Sequence, residues 1–169
     1  MISIDLDSQL STLLKDLDKL EEVTRNKVVR SGLVALSKPL KKSMASNAPR
    51  DQGYLAQSIN HKSLNKRQKS RLNVAPDDVA ILVGPNKKVN GFSQSRKANL
   101  VENGVKAHVI ESNNKPMKVG PTGYASGKIK HPGIKASPFM ADALQDNESN
   151  LQGLFYKGMA KSLDRIRAQ

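Results

Sequence analysis

A chain of 169 residues is long enough to enclose one real hydrophobic core. Aromatic content is only 4%, and there is neither Trp nor Cys. The core must therefore be Leu, Val, Ile and Met, and disulfides, cysteine nucleophiles and thiolate metal sites are excluded. The net charge of +13 is uneven, at −3 over residues 1–25, +16 over residues 26–136 and zero over residues 137–169. Such a middle region favours polyanions, whether nucleic acid or an acidic protein surface.

The start, Met1 to Asp7, is short and acidic and reads as no signal peptide. No apolar run reaches membrane-spanning length, so no membrane partner is expected. Ile2, Ile4 and Leu6 alternate with polar residues, which predicts a short N-terminal strand. From Ser8 the period becomes helical through Leu10, Leu13, Leu17, Leu20, Val28, Leu36, Leu40 and Met44, with a phase drift near Thr24–Lys27. One long helix or two nearly collinear ones fit, with a kink or break expected at Pro39. The stripe can lie on the domain's own sheet or form a coiled-coil seam; the sheet is the more ordinary reading.

Ala48-Pro49-Arg50-Asp51-Gln52-Gly53-Tyr54-Leu55 reads as helix stop and turn. Pro49 pushes Ala48 out of the helical region, Asp51 is placed to cap a new turn, and Gly53 sits at the tight bend. Ile59 to Val74 reads as a strand, a polar tip and a returning strand. The tip holds Lys62, Lys66, Arg67, Lys69 and Arg71 with no acid, so it is expected to be a mobile basic loop. Val79 to Val83 is apolar throughout and is expected to be a central strand covered on both faces.

A helix from Ala98 to Asn103 should end at Gly104, a good C-terminal cap. Val105 to Ile110 alternates like a strand, and Lys115–Val119 and Lys128–Lys130 are weaker strand candidates around a Gly-Pro-Thr-Gly turn. Pro132-Gly133 marks a turn after His131. Ser137-Pro138 then reads as an N-cap followed by proline at the first helical position, opening a helix to about Arg167. Gly153 and Gly158 weaken that helix, and either permit close packing or break it. The fold class expected is α+β, as one domain over 1–169: a twisted, mostly antiparallel sheet packed against a long N-terminal helix and a C-terminal helix.

No constellation for catalysis, a cofactor or a metal emerges. His61, His108 and His131 lie in different segments without ligand spacing. No Gly-x-Ser-x-Gly occurs, and Gly120-Pro121-Thr122-Gly123 lacks the lysine of a phosphate loop. Asp77-Asp78 reads as turn chemistry. The chain is read as a non-enzyme that needs no cofactor.

Two stretches carry a resemblance: Ala48-Pro49-x-x-x-Gly53-x-Leu55-x-x-Ser58-Ile59, and His131-Pro132-Gly133-x-x-x-x-Pro138-Phe139-x-x-x-Ala143. Between them lie Val79 to Pro85, including Gly84, and Leu100 to Ile110, with Glu102, Gly104 and His108. In this order, over roughly residues 10 to 145, they resemble the tail-component family of long-tailed double-stranded-DNA phages typified by gene product ten of the HK-type lambdoid phages. The sequence departs from that pattern in the long basic Lys62–Arg71 segment and at Asn103, where the family often has an aromatic residue.

The resemblance implies a structural virion protein of the neck, made in the host cytoplasm. It would complete the tail and join it to the DNA-filled head. A homo-oligomeric ring, six-fold by expectation, would then sit between the head connector and the tail-terminator or tail-tube proteins, with DNA passing through it. Lys62, Lys66, Arg67, Lys69 and Arg71 are the candidate contacts to DNA or a partner. The alternative is a sequence-nonspecific nucleic-acid-binding protein. Against it, only Phe92 and Tyr124 interleave the bases between Lys62 and Lys135, so stacking on single strands lacks a platform.

Overall fold

The computed structural model describes the backbone of residues 6–119 and 123–168, and their side chains except at 6–10, 112–115, 118 and 119. The N-terminal strand expected from Ile2 to Leu6 lies outside the described residues, apart from Leu6, which opens a helix. The chain folds as α+β, with a long N-terminal helix and a long C-terminal helix, as expected.

The helices α1, Leu6–Asp18, and α2, Glu22–Asn47, are separated by a short break. The break falls at residues 19–21, ahead of the phase drift, where the Leu20 N–H donates back to the Leu17 carbonyl. Helix α2 runs on through Pro39. Pro39 lacks the N–H that would reach back one turn, so the helix loses one backbone bond there and continues. It ends at Ala48, whose extended backbone is what the following Pro49 requires.

The C-terminal helix α6 spans Phe139–Arg167 and packs antiparallel along α2. The pairing is fixed at three heights. At one end Met44 and Ala48 meet Phe139 and Ala143, in a cluster completed by Leu55, Ile59 and Ala98. At the other end Val28 meets Met159 and Leu163, with Leu17 of α1 closing the cluster. Between them the backbones approach closely at Gly32 and Gly158. A Cβ on Gly158 would lie 2.9 Å from the Gly32 Cα and from the Ser31 carbonyl oxygen, and 2.6 Å from the Ala35 Cβ. The expected helical stripe therefore meets a second helix chiefly, and a sheet only in part.

Sheet structure is divided into three two-stranded antiparallel ribbons, where one continuous sheet was expected. Strand β1, Ile59–Ser63, pairs with β2, Ile81–Pro85, and this ribbon lies on α2. The short strands β3, Lys88–Val89, and β4, Phe92–Ser93, close around Asn90 and Gly91, both at positive φ as a tight hairpin turn requires. Strand β5, His108–Val119, pairs with β6, Gly123–His131.

Three local expectations need correction. The run Val79–Val83 is not a central strand. As β2 it pairs only with β1, and Ile81, Leu82 and Val83 are half-buried. An apolar run signals burial, but α2 covers just one face of a two-stranded ribbon. The returning strand before Val74 is absent, because the strand that returns beside β1 is β2 itself. The basic tip is no irregular loop either. After Ser63 the chain forms helix α4, Lys66–Arg71, behind a capping box in which Asn65 accepts from the Gln68 N–H and Gln68 accepts from the Asn65 N–H. Helix α3, Tyr54–Ser58, and α5, Ser95–Asn103, complete the set.

The two glycines of α6 give opposite expectations. No atom lies within 4 Å of a Cβ on Gly153. Gly153→Ala should raise stability by up to about 1 kcal/mol through helix propensity alone. Gly158→Ala forces the crossing apart and should lower stability by about 1–3 kcal/mol despite the same propensity gain. Paired thermal denaturation curves check the opposite signs; equal shifts would mean that the helices do not cross there.

Candidate functional site

The residues of the two signature stretches are spread along the chain, yet the fold brings most of them to one end of the α2–α6 pair. Gly53 adopts the left-handed conformation at φ 71° and caps α3. That turn drives Leu55, 2% exposed, into the same cluster as Phe139, 1% exposed. Gly84 is buried in β2 opposite Asn60. Pro49, Pro132 and Pro138 are exposed and shape the chain at turns.

Glu102 has a specific job. Its Oε2 accepts from the Met140 N–H at 2.9 Å and its Oε1 from the Ala141 N–H at 3.0 Å. Both carboxylate oxygens are thus spent on the first turn of α6, where a negative charge also suits the helix dipole. Ser137 does not cap the helix, contrary to expectation: Pro138 is the N-cap residue and makes no side-chain cap bond. Asp51 likewise makes no cap to α3. It forms an exposed ion pair with Lys97 at 3.3 Å.

Gly104 and Gly133 form the base of the β5–β6 ribbon. Val105 and Ile134 exchange two backbone hydrogen bonds of 2.8 Å as an antiparallel bridge that continues the register of His108 and His131. A Cβ on Gly104 would lie 2.7 Å from the Ile134 oxygen, and one on Gly133 would overlap the Val105 carbonyl. Both also sit at positive φ, 69° and 89°. Glycine is the residue that satisfies both constraints. Just above, the rings of His108 and His131 stack at 5.0 Å. His131 Nδ1 accepts from the Gly133 N–H, and His108 Nδ1 lies 2.9 Å from the Lys106 carbonyl oxygen. Sequence reading kept these histidines apart: an unbroken register counted back from Val119 and Gly123 would set His108 opposite Ile134, and the register shift between Ser112 and Met117 brings it opposite His131.

The basic candidates stand together on another surface. Lys62 is exposed at the end of β1, and Lys66, Arg67 and Arg71 are exposed on and around α4. Lys69 is half-buried and donates to the Pro76 carbonyl. It borders a shallow polar recess with Glu22, Arg30, Asp77 and Asp78. Three acids and two bases share that recess, so it has no single-sign field to hold a phosphate. Among the described residues, no three His, Asp or Glu side chains are grouped as metal ligands, and no helix is long and apolar enough to cross a membrane.

A family model described as "Bacteriophage HK97-gp10, putative tail-component" matches residues 11–104, more than half of the chain. The chain belongs to this HK97-gp10-like family. It is a structural component of a phage tail, and its place is the virion. No curated protein and no solved structure matches it. The matched range holds Pro49, Gly53, Leu55, Gly84, Glu102 and Gly104. It ends where the β5–β6 ribbon begins, so the stretch from His131 to Ala143 rests on its motif alone. In this tail component the signature residues pack, turn and cap.

The cap on α6 can be tested directly. Glu102→Ala should cost about 1–2 kcal/mol, whereas Ser137→Ala should stay within about 0.5 kcal/mol. Chemical denaturation of the two variants checks the order; a larger loss at Ser137 would return the cap to that residue.

Proposed function

We propose that this tail component completes the tail at the neck, as a homo-oligomeric ring between the head connector and the tail-terminator or tail-tube proteins. It acts by contact and catalyses nothing. The observation that carries this reading is the use made of the signature residues. Glu102 spends both oxygens on α6, Leu55 and Phe139 fill one cluster, and Gly104 and Gly133 permit one close antiparallel backbone contact. A family signature spent on architecture suits a protein whose product is a surface. Closed rings need two different complementary faces on each subunit. The basic surface of Lys62 and α4, and the acid-rich N-terminal region, supply opposite charges for such faces.

The DNA passing through the ring gives the basic surface a second candidate neighbour, and one experiment separates the two. Phage lacking this chain should accumulate full heads and finished but unjoined tails, seen by electron microscopy. Supplying the chain restores joining. Supplying a Lys66→Ala, Arg67→Ala, Lys69→Ala variant should restore it poorly. With a protein partner its duplex affinity is unchanged; with DNA as partner the salt slope of duplex binding falls by roughly one unit for each phosphate the variant no longer neutralises. Normal infectious particles without the chain would refute the neck role.

A further inference from the structure

The β5–β6 ribbon is the least supported element of the fold. Among the described residues, its two strands pair with each other over most of their length and pack only marginally on anything else. An isolated two-stranded ribbon is marginally stable in water, so one this long calls for a covering partner. At about 3.3 Å per residue, the 12 residues of β5 reach roughly 35–40 Å, far enough to cross a neighbouring subunit.

The register defines what the ribbon presents. Val109 pairs with Lys130, and Glu111 with Lys128. Strand alternation puts Tyr124 on this same face. All five are exposed, Val109 at 53% and Tyr124 at 70%. Glu111 is occupied by Lys128 at 3.2 Å, which leaves the face positive and partly apolar.

The same chain carries a surface of the opposite kind. Helix α6 has Asp142, Asp146 and Glu148 and no base before Lys157. All three acids are exposed, and none joins an ion pair among the described residues. Leu144 is 51% exposed on this stretch, one helical turn from Glu148. Tyrosine, valine and lysine on one surface match leucine and the Glu148 carboxylate on the other, Asp142 and Asp146 lying round the helix from them.

We infer that the β5–β6 ribbon is an arm that docks on α6 of a second copy of this chain. Tyr124 and Val109 cover the neighbour's Leu144, and Lys130 faces the Glu148 one turn along the same face. The contact is head-to-tail, the kind that closes a ring, and it rests on the ring reading above.

The absence of cysteine makes the test clean. A Tyr124→Cys, Leu144→Cys variant of the full chain is oxidised across a concentration series and run without reductant. The arm predicts a ladder of covalent oligomers from the double variant and none from either single variant. Adding Lys130→Glu should abolish the ladder, and a further Glu148→Lys should restore it. Folding of every variant is verified by its helical circular dichroism.

Each other outcome overturns the arm. Dimers from Tyr124→Cys alone would mean that ribbons pair symmetrically with each other. A fast-migrating monomer from the double variant would mean that the ribbon folds back on its own α6. A folded double variant that never cross-links rejects the contact; if it retards duplex DNA and Lys130→Glu abolishes that, DNA is the ribbon's partner. The ring itself is read separately, from the sedimentation mass of the wild-type chain. A ring without a ladder leaves the neck role standing and removes only this contact.

Discussion

The close approach of Gly32 and Gly158 sets the separation of α2 and α6, and the rest of the molecule depends on that separation. With two hydrogen atoms in place of side chains, the helices come near enough for the clusters on either side to close at once. Helix α1 is held against the far cluster by Leu17 and by the ion pair between Asp16 and Arg167. The β1–β2 ribbon lies on α2. Helix α5 is tied to the start of α6 by Glu102 and by the Ser137 N–H bonded to the Val101 carbonyl. A wider helix pair would loosen all of these contacts together, since interiors have little room to adjust.

This frame carries two appendages that contribute little to it. One is the basic α4 segment, where no residue is buried. The other is the β5–β6 ribbon, whose described residues are tied to the rest of the fold chiefly at the bridge between Val105 and Ile134. Elements with few buried apolar contacts sit at the low-stability end of a structure, and binding regions are drawn from that end. The charge follows the same division. Residues 26–136 hold the positive excess and include both appendages, whereas residues 1–25 are acidic. A tail component assembling through these appendages, as proposed, would have its contact chemistry outside its core.

Long-period features were legible in the sequence, and pairwise ones were not. The helical stripe to Met44, the stop at Ala48-Pro49 and the helix to Arg167 follow from periodicity and proline chemistry, which are local. The family was legible because its residues serve turns and caps that recur in a fixed order. Failures came where a partner distant in sequence decides. Ser137 looked like a cap because it precedes Pro138, but Glu102 is aimed at the same N–H groups from α5 and carries a full charge. The stack of His108 on His131 depends on a register that no single segment specifies. The Lys62–Arg71 tip was read from its charge, while the capping box of Asn65 and Gln68 gave the helix start and was overlooked. The run Val79–Val83 showed that burial alone does not say how many strands flank a strand.

The central claim is that a rigid helical frame displays two loosely attached contact surfaces that become engaged in the particle. Amide hydrogen exchange, compared between the free chain and the chain in purified tails, tests it most directly. The account predicts slow exchange over α2 and α6 in both states, with large new protection over residues 62–71 and 108–131 on assembly. New protection confined to the helical frame, with both surfaces exchanging as fast in the tail as in the free chain, would contradict it.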